Sequence, residues 1–143
     1  ERGHETWILN DIEAITGSRA IAPPSLSCQA MVGYAYFAIE HISPYAMLGS
    51  VHVLEGISVA LANQAAHSIK KTLGRSDDSG FSYLLSHGAL DIQHVKFFEH
   101  LINKITKIEN QNIIINSSKI FYKLYGDIFR EIGDQHLEIK SGA

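Results

Sequence analysis

Three residues in the second half of the chain have the types and spacing of metal ligands. His87, Asp91 and His94 are separated by four and three positions. On a helix they fall at about 0°, 40° and −20°, within one narrow stripe two turns long. Tyr83 and Phe98 share this stripe, so we expect it to face inward, where ionisable groups must be paired or bind a metal. The alternative is that the three are ordinary polar residues of a core or surface.

A further candidate ligand, Glu55, lies in an otherwise apolar stretch, residues 53–57. A carboxylate in such a place must be paired or coordinated, because burying an uncompensated charge is costly. No Lys or Arg precedes Lys70 in the predicted helix that carries Glu55, so a metal is the better candidate partner. His52, one turn before Glu55, is predicted to have a structural role.

The elements that must position these residues are predicted to be helices. Apolar residues recur with helical spacing along nearly the whole chain, and strand signals are scarce. Gly17 and Gly74 mark helix ends, and Ser25 and Pro44 mark helix starts. Five helices are predicted, over residues 4–15, 25–41, 45–73, 81–105 and from 110 onward. The predicted fold class is therefore all-α, with short connections between helices that pack in a bundle.

Length, composition and charge limit the class of protein. The chain of 143 residues makes one domain, and an apolar fraction of 45% is sufficient for one core. Its 12 basic and 15 acidic residues give a net charge of −3. No segment is strongly basic, so we expect no nucleic-acid partner.

Three further features bear on the compartment. The longest run without Asp, Glu, Lys or Arg, residues 20–39, contains Pro23 and Pro24, so we expect neither a membrane span nor a membrane partner. The first residues show no cationic leader followed by an apolar core, so no signal peptide is expected. The single cysteine, Cys28, excludes an internal disulfide framework and favours a reducing compartment, which we predict to be the cytoplasm.

Several stretches together resemble the iron-containing redox enzyme family, the haem-oxygenase-like diiron oxidases and oxygenases. The resemblance covers most of residues 4–130. Its most specific part is the His-x3-Asp-x2-His stretch with Leu-Glu-Gly upstream. The stretches that carry it are residues 4–11 (HETWILND), 48–56 (LGSVHVLEG), 86–94 (SHGALDIQH) and 121–125 (FYKLY).

The resemblance implies a haem-oxygenase-like helical bundle that holds two irons between central helices. In that family one helix supplies Glu-x6-His, a second supplies a Glu, and a third supplies His-x3-Asp-x2-His. Carried over position by position, the ligands are His4, Glu55, His87, Asp91 and His94. The first Glu would fall seven residues before His4, ahead of the first residue of this chain. We therefore expect residues 1–143 to be one domain that lacks its N-terminal helices, either as a fragment or as a shortened relative.

The function implied by the resemblance is that of a non-haem diiron oxidase or oxygenase that activates dioxygen. Its partners would be dioxygen and a small organic or amphipathic substrate, and a homodimer is possible. No catalytic residue beyond the metal ligands and no organic cofactor site are identified. A haem-degrading enzyme of the same fold would need one axial His and would leave the ligand cluster without a role. The same fold would also accommodate metal-free thiaminase-like chemistry, or a helical protein that only binds a ligand.

Overall fold

The computed structural model describes the backbone of residues 3–141 and the side chains of residues 3–87 and 93–134. The predicted all-α class is confirmed, and the described backbone contains no strand. A π-helical turn, Ala38–Ile42, follows the second helix. The five α-helices are α1 (His4–Thr16), α2 (Leu26–Phe37), α3 (Ala46–Thr72), α4 (Ser82–Ile102) and α5 (Ile108–Ser141).

Helix ends follow the local signals of the sequence. Gly17 adopts φ 74°, and its N–H donates to the carbonyl of Glu13, which ends α1. Gly74 adopts φ 65° just after α3. The side chain of Ser25 accepts a hydrogen bond from the backbone N–H of Cys28 and so caps α2.

Two predicted boundaries are wrong by a few residues, and the second helix ends in a turn of a different type. The second helix was expected to run to His41, but its last turn is π-helical and closes with a hydrogen bond from Ser43 N–H to Ala38 O. α4 ends at Ile102 and not at Ile105, and α5 begins at Ile108. The side chain of Gln111, in the first turn of α5, donates to the carbonyl of Ile105 in the connection between these two helices, a contact that periodicity cannot reveal.

The chain forms two compact units. The first unit contains Glu1–Ala22 and Leu54–His100, and the second contains Pro23–Val53 and Leu101–Ala143. α3 therefore contributes its first residues to the second unit and the remainder to the first. The prediction of one domain over residues 1–143 stays a prediction.

In the second unit, α3 and α5 approach each other closely at Gly49. A methyl group built on Gly49 would lie 2.6 Å from the backbone nitrogen of Ser118 and 3.0 Å from the carbonyl oxygen of Ile114, and would overlap the hydroxyl of Ser117. Ser50 and Ser117 are buried at this crossing. The small residues in this part of α3 thus serve close helix packing.

The start of α2 is bound by a side chain from α5. The Glu131 carboxylate accepts hydrogen bonds from the backbone N–H groups of Leu26 (3.2 Å) and Ser27 (2.9 Å). These N–H groups have no partner within α2, because they belong to its first turn. Hydrogen bonds from the side chain and backbone of Ser27 hold the pKa of the Glu131 carboxyl below its ordinary value.

By length and composition, α3 is long and apolar enough to cross a membrane, and it is the one such helix among the described residues. A core helix of a soluble protein passes the same test. α3 also carries His52 and Glu55, and Gly49 packs it against α5. A single helix of this kind is weak evidence for a membrane span.

The approach at Gly49 predicts opposite effects for two Gly→Ala substitutions. Gly49→Ala should destabilise the protein by about 1–3 kcal/mol, since the new methyl group meets backbone atoms that cannot move aside. Gly33→Ala is the matched control, because Gly33 lies within α2 and a methyl group there meets nothing within 4 Å. It should stabilise by up to about 1 kcal/mol. Urea unfolding of both variants tests this, and equal effects would contradict the close approach.

The cap of α2 predicts a pH-dependent effect of Glu131→Gln. Because the folded pKa of Glu131 is lowered, its contribution to stability is complete above the ordinary value of 4.5 and is lost as the pH falls through the folded value. The melting temperature of the variant should therefore lie below that of the parent at pH 7, and the difference should close in acid. Asp134→Asn, an exposed change on the same helix, is the control. A difference that does not vary with pH would rule out the carboxylate cap.

Candidate metal centre

In the first unit, α1 is joined to the start of α4 by the carboxylate of Asp11. This side chain is buried, with 7% of its surface exposed. Its Oδ1 accepts hydrogen bonds from the backbone N–H (3.0 Å) and the hydroxyl (2.8 Å) of Ser82, and its Oδ2 accepts one from the backbone N–H of Tyr83 (2.7 Å). These two N–H groups belong to the first turn of α4 and have no partner within the helix. The carboxylate thus caps α4 from another helix.

The loop before α4 fits closely against α1. Gly80 adopts φ 89°, and a methyl group on it would lie 2.5 Å from the side chain of Ile15 and 3.2 Å from the carbonyl oxygen of Asp11. Gly80 is therefore required both for the backbone conformation and for the approach. The Arg75 guanidinium donates to the carbonyl of Ala14 near the end of α1 (3.0 Å).

The same two helices bring two imidazoles together. His4 Nδ1 lies 3.0 Å from His87 Nε2. His87 is buried, and its Nδ1 lies 2.8 Å from the carbonyl oxygen of Tyr83. Since a carbonyl only accepts, Nδ1 of His87 carries the proton in this contact, and in the neutral ring the Nε2 that faces His4 is an acceptor.

Aromatic rings surround the His4–His87 pair. The Trp7 ring stacks on His4, with centroids 4.5 Å apart and planes at 16°. The Tyr83 ring lies 4.1 Å from the His87 ring. Trp7 is the single tryptophan of the chain, so its fluorescence reports on this place alone.

A second donor pair lies elsewhere in the first unit. His94 Nδ1 is 3.3 Å from Glu55 Oε2. Glu55 belongs to α3, and 20% of its side-chain surface is exposed, whereas the figure for His94 is 47%. The expectation that the whole α4 stripe faces inward is therefore wrong at His94, although His87 and Phe98 are buried. Helical spacing fixes the direction of a side chain but does not determine where neighbouring elements end.

Of the five predicted ligands, His4, Glu55, His87 and His94 have described side chains, and they form two pairs. The Asp91 side chain lies outside the described residues. Within the described side chains, no three His, Cys, Asp or Glu groups are arranged to hold a metal ion. The assignment of the five residues as ligands stays a prediction.

Two further histidines can also be located. His52 is exposed and lies edge-on to Tyr122, with ring centroids 6.1 Å apart, in the second unit. His100 is exposed on α4. Sequence reasoning missed the part played by Asp11, although its position seven residues after His4 places both on one face of α1.

The residues present suit an iron ion. Mixed imidazole and carboxylate donors suit iron or manganese better than metals that prefer thiolates. The contact from His87 Nδ1 to a backbone carbonyl is the arrangement that orients a metal-binding histidine. Nitrogen atoms 3.0 Å apart also have the separation of neighbouring ligands that each lie about 2.1 Å from one ion.

Comparison with known proteins agrees with this donor chemistry. The family model for iron-containing redox enzymes matches residues 1–126. The chain belongs to the iron-containing redox enzyme family. Its all-α, haem-oxygenase-like fold class is thereby confirmed, and the family indicates an iron-dependent oxidoreductase. No match was found for the chain among the curated proteins or the solved structures.

The hydrogen bond from His87 Nδ1 to the carbonyl oxygen of Tyr83 predicts the tautomer of His87. After treatment with a chelator, neutral His87 should carry its proton on Nδ1, because the carbonyl oxygen 2.8 Å away needs a donor. Long-range proton–nitrogen NMR at mildly alkaline pH measures this, with the signal assigned by its loss in His87→Ala. A proton found on Nε2 would show that the ring does not present that nitrogen to His4 as an acceptor.

Proposed function

We propose that the protein is a non-haem diiron enzyme that activates dioxygen to oxidise or oxygenate a small organic or amphipathic substrate. The observation that carries the proposal is the His4–His87 pair, in which two imidazole nitrogens from different helices lie 3.0 Å apart. Membership of the iron-containing redox enzyme family supports iron as the metal. The second donor pair, His94 and Glu55, supports two metal positions.

The residues that would hold iron are His4, Glu55, His87, Asp91 and His94. Bound iron supplies electrons and open coordination positions, which dioxygen needs for reduction. The protein orients the ligands. His87 is oriented by the Tyr83 carbonyl, and His4 by the stacked ring of Trp7.

Burial of His87 helps to exclude water from the reaction. Its exposed fraction is only 7%, and the rings of Tyr83 and Trp7 lie near it. In contrast, His94 is about half exposed, with 47% of its side-chain surface accessible. A substrate therefore has better access on the side of His94 and Glu55 than at the His4–His87 pair. We place the enzyme in the cytoplasm, without a nucleic-acid or membrane partner.

Haem-degrading and metal-free chemistry make different demands on these residues. A haem-degrading enzyme needs one axial histidine, which leaves the contact between His94 and Glu55 without a function. Metal-free nucleophilic chemistry would need an activated thiol or a different set of polar residues, and it would leave both donor pairs without a function. The diiron proposal is favoured because it uses both donor pairs.

Loss of a ligand should remove iron while the fold survives. His87→Ala and Asp91→Ala, reconstituted anaerobically with ferrous iron, should each bind iron at least about tenfold more weakly. Loss of a residue that only orients a ligand already lowers metal affinity about tenfold, and loss of a ligand should cost no less. Elemental analysis and a ferrous titration measure this, and far-UV circular dichroism checks the fold. His100→Ala is the matched control, since His100 is exposed on the same helix.

The result separates diiron, haem and metal-free chemistry. Iron near two per chain that falls in both variants and not in His100→Ala supports the diiron proposal. Full retention of iron in His87→Ala would remove that residue from the centre. A Soret band in the visible spectrum of the parent would favour haem, and an absence of bound iron after reconstitution would favour metal-free chemistry.

A further inference from the structure

We propose that Asp11 is a positioning residue for the metal centre, which holds α1 where His4 meets His87. The inference rests on the proposed function in taking His4 and His87 as ligands. Asp11 itself touches neither imidazole in the described contacts. Its action is on the placement of the helix that carries His4.

The geometry follows from two contacts between the same pair of helices. Asp11 binds the backbone of Ser82 and Tyr83 at the start of α4, and His4 meets His87 one turn further along. His4 and Asp11 are seven residues apart, about two turns, and so lie on one face of α1. The chain order of the contacts shows that the helices run antiparallel. Fixing the Asp11 end therefore fixes the rotation and height of α1 at His4.

Apolar packing alone does not fix α1 in this position. Within α1, all of whose side chains are described, Asp11 is the one buried residue. Ile8 and Ile15 remain 38% and 36% exposed. Trp7, Leu9 and Ile12 are partly buried, so apolar packing contributes to holding α1, but it is non-directional and leaves the rotation and height of the helix to directional contacts. Three of these contacts involve the Asp11 carboxylate, and they are partly buried bonds to a charged acceptor, which exceed bonds between neutral groups in strength.

The chemistry of the cap requires a carboxylate. Both oxygens of Asp11 accept, with two donors on Oδ1 and one on Oδ2. Asn at this position would turn an NH₂ group toward one of the donors, and it would also lose the favourable interaction of a negative charge with the helix N-terminus. Asp11→Asn is therefore a nearly isosteric change that weakens the cap.

The test is a double-mutant cycle on cobalt(II) binding by the chelator-treated protein. We expect Asp11→Asn to weaken cobalt binding about 10–100-fold, as removal of an orienting partner does. His4→Ala should also weaken it, and adding Asp11→Asn to His4→Ala should have no further effect, because both changes remove the same ligand. Equal losses in the two backgrounds would show a general structural role and overturn the proposal.

Two further variants keep the test decisive if Asp11→Asn fails to fold. Ser82→Ala removes one of the three donors and should weaken cobalt binding in the same direction, again only when His4 is present. Glu13→Gln, an exposed carboxylate on α1 that pairs with Arg19, should leave it unchanged. If Asp11→Asn does not fold, the Ser82→Ala cycle decides the question alone, and additivity there overturns the proposal.

Trp7 gives a readout that needs no metal. In the metal-stripped protein, Asp11→Asn should shift Trp7 emission to longer wavelength and raise its quenching by acrylamide, while Glu13→Gln should not. If the parent binds no cobalt, the proposed function fails, and the change in Trp7 still tests the placement of α1. If the parent binds cobalt and Asp11→Asn alters neither binding nor Trp7, the positioning role alone is wrong.

Discussion

At the start of α4, three donors converge on the carboxylate of Asp11, a residue 71 positions earlier in the chain. The first turn of any helix exposes N–H groups that need acceptors, and a local Ser or Asp usually supplies them. Here the acceptor comes from another helix, so satisfying the end of α4 also fixes the position of α1. His4 is carried to His87 as a consequence. The geometry of the candidate metal centre thus depends on the need of the first N–H groups of α4 for an acceptor.

The second unit uses the same physical solution. Glu131 of α5 accepts from the first backbone N–H groups of α2, much as Asp11 does for α4. α2 buries no residue fully along its length, and several of its apolar side chains are exposed. In both units, therefore, a carboxylate from one helix accepts hydrogen bonds from the first N–H groups of another. At Gly49, where α3 and α5 pack closely, the contact is made by small residues.

The sequence predicts individual helices better than it predicts their partners. Gly17, Gly74 and Ser25 act locally, and the structure has them in the expected roles. The π-helical turn at Ala38–Ile42 carries no comparable signal. At the candidate metal centre, helical spacing places His87 and His94 on one stripe of α4, but it cannot tell that His87 is buried and His94 half exposed. Periodicity describes one helix at a time, so the contacts from Asp11 to Ser82 and from His94 to Glu55 lie beyond it.

The His4–His87 contact also explains how the two nitrogens that we propose as metal ligands are kept together in the folded protein. With the Tyr83 carbonyl accepting from His87 Nδ1, the facing nitrogen of His87 is an acceptor, and His4 Nδ1 satisfies it by donating a proton. This hydrogen bond holds the two nitrogens 3.0 Å apart. If an ion took both nitrogens as ligands, it would replace the shared proton, and His4 would carry its proton on Nε2 instead. The distance between the two nitrogens would hardly change on binding, so folding already orders the two imidazole rings. The Asp11 cap contributes to this order because it fixes the helix that carries His4.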